Sequence, residues 1–72
     1  MKILANDYEA NELLKIIREW LGLTQKDFGK LINRSERTIQ NLEGGIKDYS
    51  FNTLLEIAKI NGIEIVISKK FK

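Results

Sequence analysis

Apolar residues along this chain recur first at helical and then at strand spacing. Leu13, Leu14, Ile17, Trp20 and Leu21 mark one face of a helix running from about Tyr8 to Leu21. Asn6 or Asp7 is placed to cap it, Asn6 and Glu9 have capping-box spacing, and Gly22 stands where a left-handed residue ends a helix. Phe28, Leu31 and Ile32 predict a second helix over about Gln25 to Ile32, with Thr24 as its N-cap and Asp27 in its first turn. After a very short turn at Asn33 and Arg34, Ser35 caps a third helix that runs to about Glu43, turns Ile39 and Leu42 inward and ends at Gly44 and Gly45. A loop leads to Ser50, the N-cap of a fourth helix holding Phe51, Leu54, Leu55, Ile57 and Ala58, which stops near Asn61 and Gly62. The period then changes. Ile63, Ile65 and Ile67 alternate with Glu64, Val66 and Ser68, which predicts a strand over about 63–68. Lys2 to Ala5 form a second, shorter candidate strand.

The second and third helices carry the most information. Two short helices joined by so few residues cross steeply, which is the helix-turn-helix arrangement, here spanning roughly Thr24 to Gly44. The crossing needs a small residue at the point of approach, and Gly29 supplies it. The turn needs a residue that tolerates positive φ, and Asn33 does. With Ile39 and Leu42 inward, a rotation of about 100° per residue turns Arg37, Gln40, Asn41 and Gly44 outward and leaves Glu36 on the flank. That face has no large apolar side chain. Arginine matches the O6 and N7 of guanine, and Asn or Gln the N6 and N7 of adenine. An ordinary solvated helix face has the same composition, so the pattern alone leaves both readings open.

Length and composition narrow the classes. Seventy-two residues make one domain with a small core, for which a partner subunit is a common support. The chain contains no Cys and no His, so disulfides, thiolate or imidazole metal sites and the usual nucleophile–base pairs are absent. Composition alone does not exclude an enzyme, but with no clustered carboxylates at helical spacing, no glycine-rich phosphate loop and no metal-ligand set we expect no metal, no cofactor and no enzyme activity. The net charge of +2 is modest. Residues 24–47 hold five basic side chains (Lys26, Lys30, Arg34, Arg37 and Lys47) against three acidic ones, and Lys69, Lys70 and Lys72 follow near the end. Such a locally positive segment suits a phosphate backbone. No apolar run reaches the ~20 residues of a membrane span. The expected location is cytoplasmic, away from membranes.

Gly22-Leu23-Thr24-Gln25, Phe28-Gly29, Ser35, Thr38-Ile39 and Leu42-Glu43-Gly44 together resemble the lambda-repressor/Cro-type (XRE) family of helix-turn-helix regulators. The likeness covers roughly Leu13 to Ile63. It implies a mainly α fold, a four-to-five-helix lambda-repressor-like DNA-binding domain, to which the alternating tail adds a short C-terminal β-strand. Residues 1–72 are read as that single domain. Carried over position by position, the resemblance places Gln25 at a phosphate, Glu36, Arg37 and Asn41 at bases, and Ser35, Thr38 and Gln40 beside them. Lys47 follows on the backbone side. Arg18 and Glu43 fall where many members hold a structural ion pair. Three departures stand out: Asn33 where glycine is usual, Gly29 where alanine is more usual, and Arg34 where an apolar residue plugs the core. Arg34 either weakens the turn or adds a phosphate contact.

A lone strand needs a pairing partner, and an exposed row of isoleucines is sticky. Residues 63–68 pair either with Lys2–Ala5 or with the same strand of a second subunit. The second solution makes Ile63, Ile65, Val66 and Ile67 a homodimer interface and sets two recognition helices about 34 Å apart, one turn of double-stranded DNA. Four helices followed by such a strand are similar to HipB-type antitoxins. Two functions follow: a dimeric repressor that reads a pseudo-palindromic operator through the helix starting at Ser35, or an antitoxin-like subunit that neutralises a toxin partner.

Overall fold

The computed structural model describes residues 1–70; Lys72, counted above with the terminal lysines, lies outside them. Four α-helices follow a single 3-10 turn at Ala5–Asp7: α1 is Ala10–Trp20, α2 Gln25–Leu31, α3 Glu36–Glu43 and α4 Phe51–Ile60. Three of the four starts are set by the predicted caps. Thr24, Ser35 and Ser50 are extended, and each hydroxyl accepts from the backbone N–H three residues on, at 3.1 Å in every case. The first helix differs. It begins two residues later than expected because Asn6 and Asp7 belong to the 3-10 turn, and Glu9 becomes the N-cap, its N–H donating to the Glu12 carboxylate at 2.9 Å.

Phe28, Leu14 and Ile39 are fully buried and come from three different helices, with Ile17, Leu42 and Ile57 completing the core. Each such side chain contributes about 1.5–3 kcal/mol on leaving water. Leu21, Leu23, Ile32, Tyr49, Leu54 and Ile63 pack around them. Leu31 does not join them and is 43% exposed. The inward side of α2 is set by Phe28, Gly29 and Ile32, and Leu31 lies roughly 100° around the helix from its centre.

Both predicted demands of the α2–α3 turn are met. Asn33 is left-handed, with φ 59°. Gly29 is buried, and a Cβ placed on it would lie 2.5 Å from the carbonyl oxygen of Arg34. The Arg34 N–H in turn donates to the Gly29 carbonyl at 2.7 Å. The backbones of helix and turn thus touch directly, which explains glycine where even alanine is too large. The turn closes with the Arg34 side chain in solvent, and Ile32 supplies the apolar contact with the core.

The two strands are not formed. Among the described residues the protein is all-helical, 63–68 run on without regular structure, and Ala5 sits in the 3-10 turn instead of pairing. The last backbone hydrogen bond along the chain, among the described residues, is Ile63 N–H to the Ala58 carbonyl at 2.9 Å. A strand exists only as part of a ladder, and within one chain these segments do not supply each other with one.

Gly29→Ala is expected to destabilise the fold by about 1–3 kcal/mol through forced overpacking. Urea unfolding followed by the fluorescence of Trp20, the one tryptophan, measures it. An unchanged midpoint contradicts the close approach.

Candidate nucleic-acid interface

The tight α2–α3 turn leaves α3 with one side on the core and the other in solvent. Ile39 and Leu42 are buried, while Glu36, Arg37 and Gln40 are exposed and, among the described residues, make no side-chain hydrogen bond or ion pair. Three polar side chains of different hydrogen-bonding character therefore project from a rigid helix. Thr38 and Asn41 stand at the edges of this face and are half-buried. Thr38 is tied to Ser35: the two hydroxyls are 2.9 Å apart, and Ser35 also caps the helix. Of the residues carried over from the resemblance, Ser35 thus has a structural duty as well as a surface position.

The loop after α3 folds back on the same helix. Ile46 and Lys47 both donate their N–H groups to the Asn41 carbonyl, at 3.0 and 3.2 Å. This draws Lys47 beside Asn41. Lys47, Arg34 and Thr38 share the rim of a concavity of about 340 Å³ between α3 and α4, whose floor includes Leu14, Leu42 and Ile57. Asp48 sits on the same rim and offsets part of the charge. Arg34 is exposed, its Nη1 3.3 Å from the carbonyl of Asn33.

Gln25 is placed differently from the rest. Its amide donates to Oε1 of Glu43 at 3.2 Å, and the residue is half-buried. One N–H is used inside the fold and one remains for an outside acceptor. Glu43 is the hub of this corner. Arg18 Nε donates to Oε2 at 2.7 Å and Nη2 to Oε1 at 3.1 Å, a two-point pair, while Nη1 reaches the carbonyl of Leu23 at 2.9 Å. The hydrogen bond from Arg18 to Glu43 raises the guanidinium above its ordinary pKa, against the opposing effect of burial. The Arg18–Glu43 pair is structural, as its position suggested.

Two supports were not legible in the sequence. Asn11 Nδ2 donates to the backbone carbonyl of Glu43 at 3.1 Å, fixing the end of α3 to α1. The Tyr49 hydroxyl donates to the carbonyl of Ala10, and burial pushes its phenol pKa up. Both bonds span more than 30 residues, and no local period signals them. Among the described residues no cluster of acidic residues is arranged to hold a metal ion, and no helix is long and apolar enough to cross a membrane.

Comparison with known proteins gives one family. A profile described as helix-turn-helix matches residues 14–67, three quarters of the chain and the whole of the turn described above. Neither the curated proteins nor the solved structures contain a match.

Removing one partner of the Arg18–Glu43 pair leaves the other charge poorly solvated, because the side chains are only 14% and 5% exposed. Glu43→Ala is expected to cost about 3–5 kcal/mol, whereas Arg18→Met with Glu43→Leu costs much less. Thermal unfolding of the single and double variants checks this. Equal losses would mean that the pair carries net stability and that orphaning a charge adds nothing.

Proposed function

The chain belongs to the helix-turn-helix family of Cro/C1-type DNA-binding regulators, and on that premise we propose that it is a dimeric, cytoplasmic repressor that reads a pseudo-palindromic operator with α3. Residues 1–72 act as one DNA-binding domain. The observation that carries the reading is the outward face of α3, where Glu36, Arg37 and Gln40 stand exposed without partners among the described residues and Lys47 is folded in beside Asn41.

In this reading Arg37 reads guanine through its two parallel donors, and Gln40 and Asn41 pair with adenine. Glu36 accepts from the exocyclic amine of cytosine, a role that suits a carboxylate better than contact with phosphate. Arg34, Lys47 and the free N–H of Gln25 hold the sugar–phosphate backbone, with the hydroxyls of Ser35 and Thr38 nearby. These contacts set register and orientation, while the base contacts give the sequence preference.

The dimer rests on the tail. Ile65 is 37%, Val66 76% and Ile67 87% exposed, and the segment that carries them has no backbone partner beyond Ile63 among the described residues. With Ile63 they form the proposed contact between two copies. A two-fold pair presents two α3 helices to successive major grooves of one face of the duplex. The same exposed residues support the second reading, an antitoxin-like subunit whose tail is covered by a toxin.

A fluorescence-anisotropy titration tests the DNA reading, using a duplex selected by the protein from a random library and an unselected duplex as control. Affinity for both falls steeply with salt as phosphate contacts release counterions. Arg37→Ala weakens the selected duplex by about 1–3 kcal/mol and the control much less. An equal loss on both duplexes makes Arg37 a phosphate contact, and no loss removes it from the interface. Sedimentation of the free protein tests the dimer: a monomer at tens of micromolar contradicts it.

A further inference from the structure

Resting on the dimer reading above, we propose that the C-terminal segments of two copies pair as an antiparallel two-stranded ribbon whose two-fold axis passes through Ile65. Ile65 then faces itself, and Ile67 of each chain faces Ile63 of the other.

The proposal follows from the symmetry of the sequence. In an antiparallel pair related by a two-fold axis, a residue n places before the centre lies opposite the residue n places after it. Residues 63–67 read Ile-Glu-Ile-Val-Ile, with the isoleucines disposed evenly about Ile65. Centring there places each isoleucine of one chain opposite an isoleucine of the other, all on one face. A centre at Glu64 sets two carboxylates directly opposite each other and leaves Ile67 against Asn61. A centre at Val66 sets Ile63 against Lys69. A centre between two residues mixes the parities, so that the isoleucine face of one strand meets the Glu64–Val66–Ser68 face of its neighbour.

The structure shows how far the core covers this row of isoleucines. Exposure rises along the row: Ile63 is packed against the core, Ile65 is 37% exposed and Ile67 87%. The apolar row that begins on the core at Ile63 therefore loses its cover toward Ile67. Pairing about Ile65 repairs this at the far end, since Ile67 comes to lie over the partner's Ile63, at the edge of the partner's core. Each tail becomes a strap across the other subunit, and the backbone groups that follow Ile63 gain the hydrogen-bond partners they lack among the described residues of one chain. The strand expected from the alternation is then a property of the pair.

The chain contains no Cys, so single cysteines report contacts without background. The full chain is prepared with Glu64→Cys, Ile65→Cys, Val66→Cys or Ile67→Cys, oxidised mildly and separated on a non-reducing gel. Wild type is sedimented in parallel. The expected result is a wild-type dimer in which Ile65→Cys forms at least fivefold more covalent dimer than any of the other three. The directly opposed position brings Cβ atoms within about 4.5–5.5 Å, while a two-residue offset leaves them about 7–8 Å apart, beyond disulfide reach. A mixture of the Ile63→Cys and Ile67→Cys chains is expected to cross-link although neither does so alone, which keeps the test open if one variant folds poorly. A dimeric wild type that cross-links best through residue 64 or 66 overturns the register and leaves the dimer standing. Equal cross-linking at all four positions signifies a parallel or frayed tail and overturns it too. A wild type that remains monomeric removes the dimer and the register together.

Discussion

The fold turns on the absence of one carbon atom. Gly29 lets the α2 backbone touch the carbonyl of Arg34, and that contact holds the start of α3 tightly against α2. Asn33 makes the reversal possible at φ 59°, a conformation that most residues adopt at a cost of about 1–2 kcal/mol. With the turn closed in this way, Ile39 and Leu42 are buried in the core and the opposite side of α3 lies in solvent. The chemistry presented by Glu36, Arg37 and Gln40 is a consequence of how closely two backbones approach.

A second set of bonds holds that orientation from the far end of α3. Glu43 receives Arg18 and Gln25 on its carboxylate and Asn11 on its carbonyl, so four hydrogen bonds from three side chains of α1 and α2 converge on the last residue of α3. Lys47 is placed by the same logic, through backbone bonds to the carbonyl of Asn41. The helix is thus pinned at its start by a tight turn and at its end by a polar clamp, and its outward side chains ride on a rigid element. This suits a surface that must match a partner whose spacing is fixed.

Most of this was readable in the residues because it is local. A threonine or serine three places before a free N–H predicts a cap, and Thr24, Ser35 and Ser50 all behave so. The two demands of the turn are met by adjacent stretches of chain. Reading failed where a partner lies far away in sequence. The clamp of Asn11 and Gln25 on Glu43 has no local signature. Leu31 has the apolar character of an inward residue, yet it is exposed, and Gly29, which has no side chain, holds the inward place. The strand over 63–68 is the clearest case. Its alternation is real, but a ladder needs a second segment, and the described residues of one chain do not provide it. The roles assigned to individual residues at the DNA came from family likeness, and the structure adds to them position and exposure.

In the proposed complex the outward face of α3, flanked by Arg34 and Lys47, is the surface that meets DNA. The most direct measurement is an NMR titration of the isotopically labelled chain with a short duplex selected by the protein. The largest shifts are expected on the backbone amides of residues 34–41 and on Lys47, with the side-chain amides of Gln40 and Asn41 among them, while the outer side of α1 around Glu12, Lys15 and Glu19 stays unmoved. Shifts concentrated on α1, or spread evenly over the surface, would contradict it.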